Sequence, residues 1–312
     1  MSEPAVDQGA IQPNGFLFAL SSDWMIAHAS ANITKFAAKQ IDEIIGHHVN
    51  SLLCPDVVHA LRNRLALLRG VNATERLLRC ELFGDERMFD VALHVSGSRV
   101  IVEAELSSEQ HYGDVIGTVR GMIGRLDEAR DITAFFDEGA RQVRALTGFD
   151  RVIISRFSPD GSGEVVAESA RNRVGSHLGS HFPTSDLRKQ ELEFDQRGQL
   201  RVITDVEALP VPILPGLNEP PLDLSLSVLR SVSPHSIEYL RTIDVRASMS
   251  IAIIVGGQPW GLIACHHSSS RCPSFERRSI AELFAQMFSM RLEIRELKEA
   301  LEAEHRERAG SD

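Results

Sequence analysis

"WGLIACHHSSSRC", residues 260–272, opens as a buried strand and ends on Cys265, His266 and His267, side chains able to bind metal, attack an electrophile or wall a ligand. Neighbouring side chains on a strand point to opposite faces, so Cys265 and His267 share one face and His266 takes the other. A structural zinc site needs four ligands, and the chain has no C-x-x-C pair to help complete one. A cysteine nucleophile needs an activating base held by a third group. Cys265 instead follows "GLIA" and reads as a small buried hydrophobe. His266 is left as a polar group at the end of a central strand, facing a cavity.

Working outward, "ASMSIAIIVGG" and "QPWGLIACHH" read as a hairpin turned at "GGQ". Strands are expected at "DRVIISRFS" and "GEVVAESA", around the turn "PDGSG". Between them and the hairpin, residues 180 to about 236 read as a long proline-punctuated loop. Such a length implies a ligand cover or a topological task. Upstream, residues 114–148 have helical periodicity interrupted by glycines. The polar break "SSEQHY" at 107–112 separates all this from an N-terminal unit. There, two strands flank Ser21-Ser22-Asp23, two helical pieces end at Gly46 and Gly70, and three strands follow, "RMFDVALHVSG" alternating clearly. From Ser274 one long helix runs to the end. Leu283, Met287, Met290, Ile294, Leu297 and Leu301 fall at steps of four and three, a coiled-coil seam that suits a dimer or a stalk.

The chain of 312 residues suits two domains and, at 43% hydrophobic, sizeable cores. A net charge of −10 argues against nucleic acid and gives no reason to expect an anionic membrane surface. No apolar stretch approaches the roughly 20 residues that span a bilayer, and the N-terminus lacks a secretory pattern. With that, four cysteines without close pairing read as reduced thiols, and the expected compartment is cytoplasmic.

"WGLIACHH", "LRSVSPHSIEYLR", "VRASMSIAIIV", "FPTSDL", "GSGEVVAESA" and "GAIQPNG" together resemble the PAS and GAF domains of a bacteriophytochrome, in order and over nearly the whole chain. The resemblance implies an α+β fold. A PAS domain over 1–110 is followed by a GAF domain over 111–312 that ends in the long helix. It also implies a figure-of-eight knot in which the segment around Ile11 threads the long loop near 206–228, and a GAF pocket for biliverdin. By the same resemblance Asp186 offers its carbonyl to the ring nitrogens. Arg201 and Arg230 correspond to the arginine that grips a propionate and the one that reaches toward the output domain. Ser233, Ser248 and Ser250 are further hydrogen-bonding groups, and His266 faces the D-ring carbonyl. A guanidinium suits a carboxylate because its fork of donors matches two oxygens.

The departures cluster on the same ligand. The family's thioether-forming cysteine lies about eleven residues before Ile11, at or before Met1, and the first cysteine here is Cys54. The plant-type attachment site reads "SPHSIEY", without a thiol. Ser236 replaces the histidine beside the ring nitrogens, and His235 points about 100° away on a helix. Ser155 replaces a D-ring tyrosine, Arg188 stands at the proline of "SDIP-x-Q", and Asp195 stands where a tyrosine is common, with Phe194 the aromatic left nearby. The expected function is therefore the sensory input of a signalling protein that has lost covalent biliverdin and normal red/far-red photochemistry. Noncovalent biliverdin binding is the second reading, and a thiol-based redox sensor the third. No enzyme is expected within these residues. The expected partners are a second copy through the C-terminal helix, an output histidine kinase and a response regulator.

Overall fold

A computed structural model describes residues 9–70, 73–109, 113–160, 162–171, 175–182 and 200–309. Two antiparallel sheets organise them. The first contains β1 (Ala10–Ile11), β2 (Gly15–Leu20), β3 (Ile26–Ser30), β4 (Thr74–Glu81), β5 (Met88–Ser96), β6 (Arg99–Leu106) and β11 (Val211–Pro215). Its order is β1-β11-β3-β2-β6-β5-β4. The second contains β7 (Arg151–Phe157), β8 (Gly163–Ala170), β9 (His181–Phe182), β10 (Leu200–Ile203), β12 (Ala247–Val255) and β13 (Gln258–His267), in the order β10-β12-β13-β7-β8-β9. The β12–β13 hairpin turns at Gly256 and Gly257, whose φ values of 57° and 75° explain the glycine pair.

The helices depart from the sequence expectation at their ends. The first piece is broken: α1 (Ile33–Ala37) stops at Ala38, which is left-handed at φ 51°, and only a short 3₁₀ turn over Ile41–Glu43 follows. The second, α2 (Pro55–Leu67), ends before Gly70. The glycines at 117, 121 and 124 lie inside α3 (Val115–Asp127) rather than interrupting it. The break comes at Asp131, whose carboxylate accepts the Ala134 N–H at 2.8 Å and opens α4 (Ile132–Thr147).

The proline-rich stretch is not a bare loop, because it supplies β10 and β11. The prolines of β11 lack an N–H, but the amides after them donate, Ile213 to Gly9 O at 2.6 Å and Gly216 to Ala27 O at 2.7 Å, and the Pro212 carbonyl accepts the Ala31 N–H at 2.9 Å. Residues 10–12 thread this stretch. Ile11 pairs with Val211 on one side and bridges Arg230 on the other. The Gln12 N–H donates to Leu229 O at 2.7 Å, and its side chain donates to Val202 O at 2.8 Å and accepts from Thr204 N at 3.0 Å. The segment is thus gripped from β10, β11 and 229–231 at once, which makes the knot expected from the resemblance. We call residues 200–231 the lasso.

The lasso also changes the first sheet. Alternation along β5 predicts one buried face, yet residues 89–94 are all buried. The inner face carries Phe89, Val91 and Leu93 against α1 and α2. The outer face is covered by Leu222, Leu224 and Leu229 of the lasso, packed with Ile11, Leu17, Ala19 and Ile101. That cover leaves His94 wholly buried, and burial pushes it down to about 4.

The second sheet packs one face against α3, α4 and α6 (Phe275–Ala309), where α5 (Pro234–Thr242) is the short helix before β12. On α6 the residues Ile280, Phe284, Phe288 and Leu292 enter this core, and Phe135 stacks on Phe288 with centroids 4.5 Å apart. The predicted seam lies elsewhere on the helix: Leu283, Met290, Ile294, Leu297 and Leu301 are exposed. Two buried or partly buried ion pairs, Arg278–Glu105 and Arg76–Glu282, tie α6 to the first sheet.

Candidate functional site

The registers of the second sheet assign each side chain to a face. Ser248 stands opposite His266, and His266 opposite Arg151. One step of two residues along, Arg201 stands opposite Ser250, Ser250 opposite Ala264, and Ala264 opposite Ile153. A further step reaches Leu262 and Ser155. Arg201, Ser248, Ser250, His266 and Ser155 therefore share the face that points away from the core. The other face carries Met249, Ile251, Ile263, Cys265, Val152 and Ile154, all in the core.

The alternation across residues 265–267 holds. Cys265 is fully buried in the core, and burial pushes its thiol far up. His267 lies on the same side, its Nδ1 3.3 Å from the Asp150 carboxylate and its ring edge-on to Phe149. His266 faces the site. Burial first, then the Arg151 and His177 charges, push it down to about 4, so the ring is neutral at physiological pH. Among the described residues no group of histidine, cysteine, aspartate and glutamate could hold a metal ion.

The other candidates are dispersed around this face. Arg201 is 4% exposed, and its Nη2 donates to Ser231 O at 2.6 Å, tying β10 to the end of the lasso. Arg230 sits in the lasso rather than on the sheet, its Nη1 donating to Ser225 O at 2.9 Å. Ser233 caps α5 by accepting the Ser236 N–H at 3.2 Å, and the two hydroxyls lie 2.8 Å apart. Asp186, together with Arg188, Phe194 and Asp195, lies outside the described residues.

Sequence reasoning missed one feature of the face. Arg151 and Glu168 form an ion pair at 2.8 Å with little exposure of either side chain. Glu168 also accepts from Ser176 Oγ at 2.7 Å and from His177 N at 2.8 Å, while Arg151 donates to Gly175 O. This pair pins residues 175–177 beside His266. The two residues are diagonal across the β7–β8 ladder, a relation visible only once the register is known.

Two antiparallel sheets, one threaded through the other's lasso, with a polar sheet face beside the knot, define a two-domain sensory module. A GAF domain family model matches residues 131–295, and a PAS fold model matches residues 2–107. The chromophore-binding domain of Stigmatella aurantiaca bacteriophytochrome, as a point mutant in the Pr state, is 35% identical with a TM-score of 0.83 over 92% of this chain and 96% of that one. The corresponding domain of an unusual bacteriophytochrome from R. palustris is 34% identical with a TM-score of 0.83, over 94% and 97%. The bacteriophytochrome of Pseudomonas aeruginosa is 35% identical over 92% of this chain and 39% of its own length. Cyanobacterial phytochrome B of a Nostoc species is 36% identical over 96% and 41%. The chain belongs to the bacteriophytochrome family as a PAS–GAF module, and it spans about two fifths of the length of these curated relatives.

Proposed function

We propose that this module is the sensory input of a signalling protein in which biliverdin is no longer attached covalently and normal red/far-red photochemistry is lost. The observation that carries this reading is the composition of the polar sheet face: it presents Arg201, Ser248, Ser250 and His266 but no thiol. Cys265 lies on the opposite face, Cys54 and Cys80 belong to the N-terminal domain, and Cys272 follows β13 near Asn14. Ser236, at the family's ring-facing histidine, is engaged in capping α5 and offers no imidazole to a protonated tetrapyrrole. The domain division is placed at 110/111.

Arg201, Ser248, Ser250 and His266 supply donors suited to a propionate and a ring carbonyl, with Arg230, Ser233 and Asp186 assigned by resemblance. A guanidinium and hydroxyls can hold a carboxylate without any covalent bond. That retained set favours noncovalent biliverdin binding as the second reading. The redox reading is weaker, since burial raises the Cys265 and Cys80 thiols away from the reactive thiolate. The output domain is a histidine kinase acting on a response regulator, and the module pairs with a second copy through α6.

Mixing the protein with biliverdin and denaturing it tests the attachment. All pigment should separate from the polypeptide on a denaturing gel stained with zinc. Pigment that migrates with the chain would overturn the proposal. A red band that forms before denaturation, is depleted by red light and is restored by far-red light would favour the second reading instead.

A further inference from the structure

Glu103 has no part in the site described so far, yet it is the most enclosed carboxylate at the knot. It lies on β6 at 3% exposure, opposite Leu17 on β2 and Ala92 on β5. Its Oε1 accepts the Leu229 N–H at 2.8 Å and its Oε2 the Val228 N–H at 3.2 Å. These are the two lasso residues immediately before Arg230. The Arg230 backbone is held from the other side by its bridge to Ile11 and by Gln12 Nε2, 3.3 Å from its carbonyl. We propose that Glu103 is a positioning residue for Arg230: a carboxyl group from the PAS sheet that latches the lasso shut and releases it in a proton-dependent way. The role assigned to Arg230 rests on the proposed function; the latch itself rests on the geometry at Glu103.

Several charged groups surround the latch. Glu105 is its neighbour on β6 and pairs with Arg278 of α6. Asp90 and His94 lie on β5, Asp223 and Arg230 in the lasso, and the Cys272 thiol near Glu105. β2 contributes the apolar Leu17 and Ala19. Burial raises Glu103 to about 7, against the ordinary 4.5, with the Glu105 charge adding to it and the two amide bonds and Arg278 opposing. The sign follows directly. The closed lasso holds a proton that an opened, solvated Glu103 would lose, so opening becomes easier as pH rises from about 5 toward 7.5, by roughly 50-fold. Above the folded value the dependence flattens. The Glu105–Arg278 pair carries the same strand on to the start of α6, so lasso, sheet and output helix meet at one row of charges.

Hydrogen exchange of residues 226–232 in the pigment-free protein tests the latch, once rates are corrected for the intrinsic pH dependence of exchange. In the wild type, opening should rise roughly 50-fold between pH 5 and 7.5. Glu103→Gln should abolish that slope while exchanging faster at low pH, because its amide nitrogen cannot accept an N–H. Glu103→Asp keeps a titrating carboxyl and should keep a slope. Equal slopes in wild type and Glu103→Gln, or exchange unaffected by Glu103→Gln, would overturn the latch. A chain that takes up no biliverdin would sink the pocket assignment and leave this exchange result standing.

Discussion

Glutamate at both Met290 and Leu297 is expected to turn the protein into monomers that sediment as single chains while retaining the wild-type fold. The argument starts from the two stripes of α6. One stripe enters the GAF core through Ile280, Phe284, Phe288 and Leu292. The other, at a repeat of seven, leaves Met290 57% and Leu297 60% exposed. A helix that needed only its own domain would have no use for the second stripe beyond Leu292, where the core contacts end. Burying a Leu or Met side chain contributes roughly 1.5–3 kcal/mol. Four such side chains, two from each copy, would account for several powers of ten in the dimer constant, at about 1.4 kcal/mol for each factor of ten. Placing carboxylates there removes that gain and opposes like charges across the seam. The thermal midpoint of the GAF core should hardly move, since neither residue belongs to it. A wild-type chain already monomeric at tens of micromolar in sedimentation would sink the seam reading.

What was legible in the sequence follows periodicity. The period of two across residues 264–267 separates Cys265 from His266 without any structure, because a strand allows no other arrangement. The glycine pair announces the hairpin before it, and the spacing of Leu283, Met290, Ile294, Leu297 and Leu301 marks the stripe that α6 leaves exposed. The inner stripe of that helix is masked by the outer one, because Ile280, Phe284 and Phe288 share the apolar run "SIAELFAQMFSM" with Leu283, Met287 and Met290. β10 and β11 were missed for a different reason. They are short, flanked by polar or proline residues, and paired with strands far away in the chain; β11 meets β1 and β3 some two hundred residues earlier. Their strand character comes from the knot, and the knot was visible only through resemblance. The buried polar row on the first sheet was illegible for the same cause: Asp90, His94 and Glu103 alternate as a solvated face should, until the lasso is laid across them.

Restoring three parts should bring back a bound, red-absorbing chromophore: Ser155→Tyr, Ser236→His and a cysteine on a short N-terminal extension. Ser155 is 4% exposed and lies on the polar face, in the row of Leu262, two steps along the sheet from His266. A tyrosine there adds bulk and a hydroxyl where the D-ring pocket would otherwise be wide. Ser236 sits in the first turn of α5, and its bond to the Ser233 cap runs through its backbone N–H as well as its hydroxyl. A histidine therefore keeps the backbone half of the cap and should leave α5 formed, at a loss of well under the roughly 1 kcal/mol of a deleted cap. The retained frame, Arg201, Ser248, Ser250 and His266, is already assembled on one face by strand register, so the missing parts are few and local. A site performs only when its whole set of contacts is in place, so the cysteine alone should give weak or bleached adducts. The opposing mechanism lies in the altered composition of "LRKQELEFDQRG", residues 187–198, where arginine stands at the family's proline and aspartate where a tyrosine is common. The visible spectrum of the triple variant after biliverdin addition decides between them. A red band means the pocket was disabled by a handful of side chains. A folded triple variant with no red band means the cavity is closed, and that this GAF domain serves its signalling protein as a scaffold.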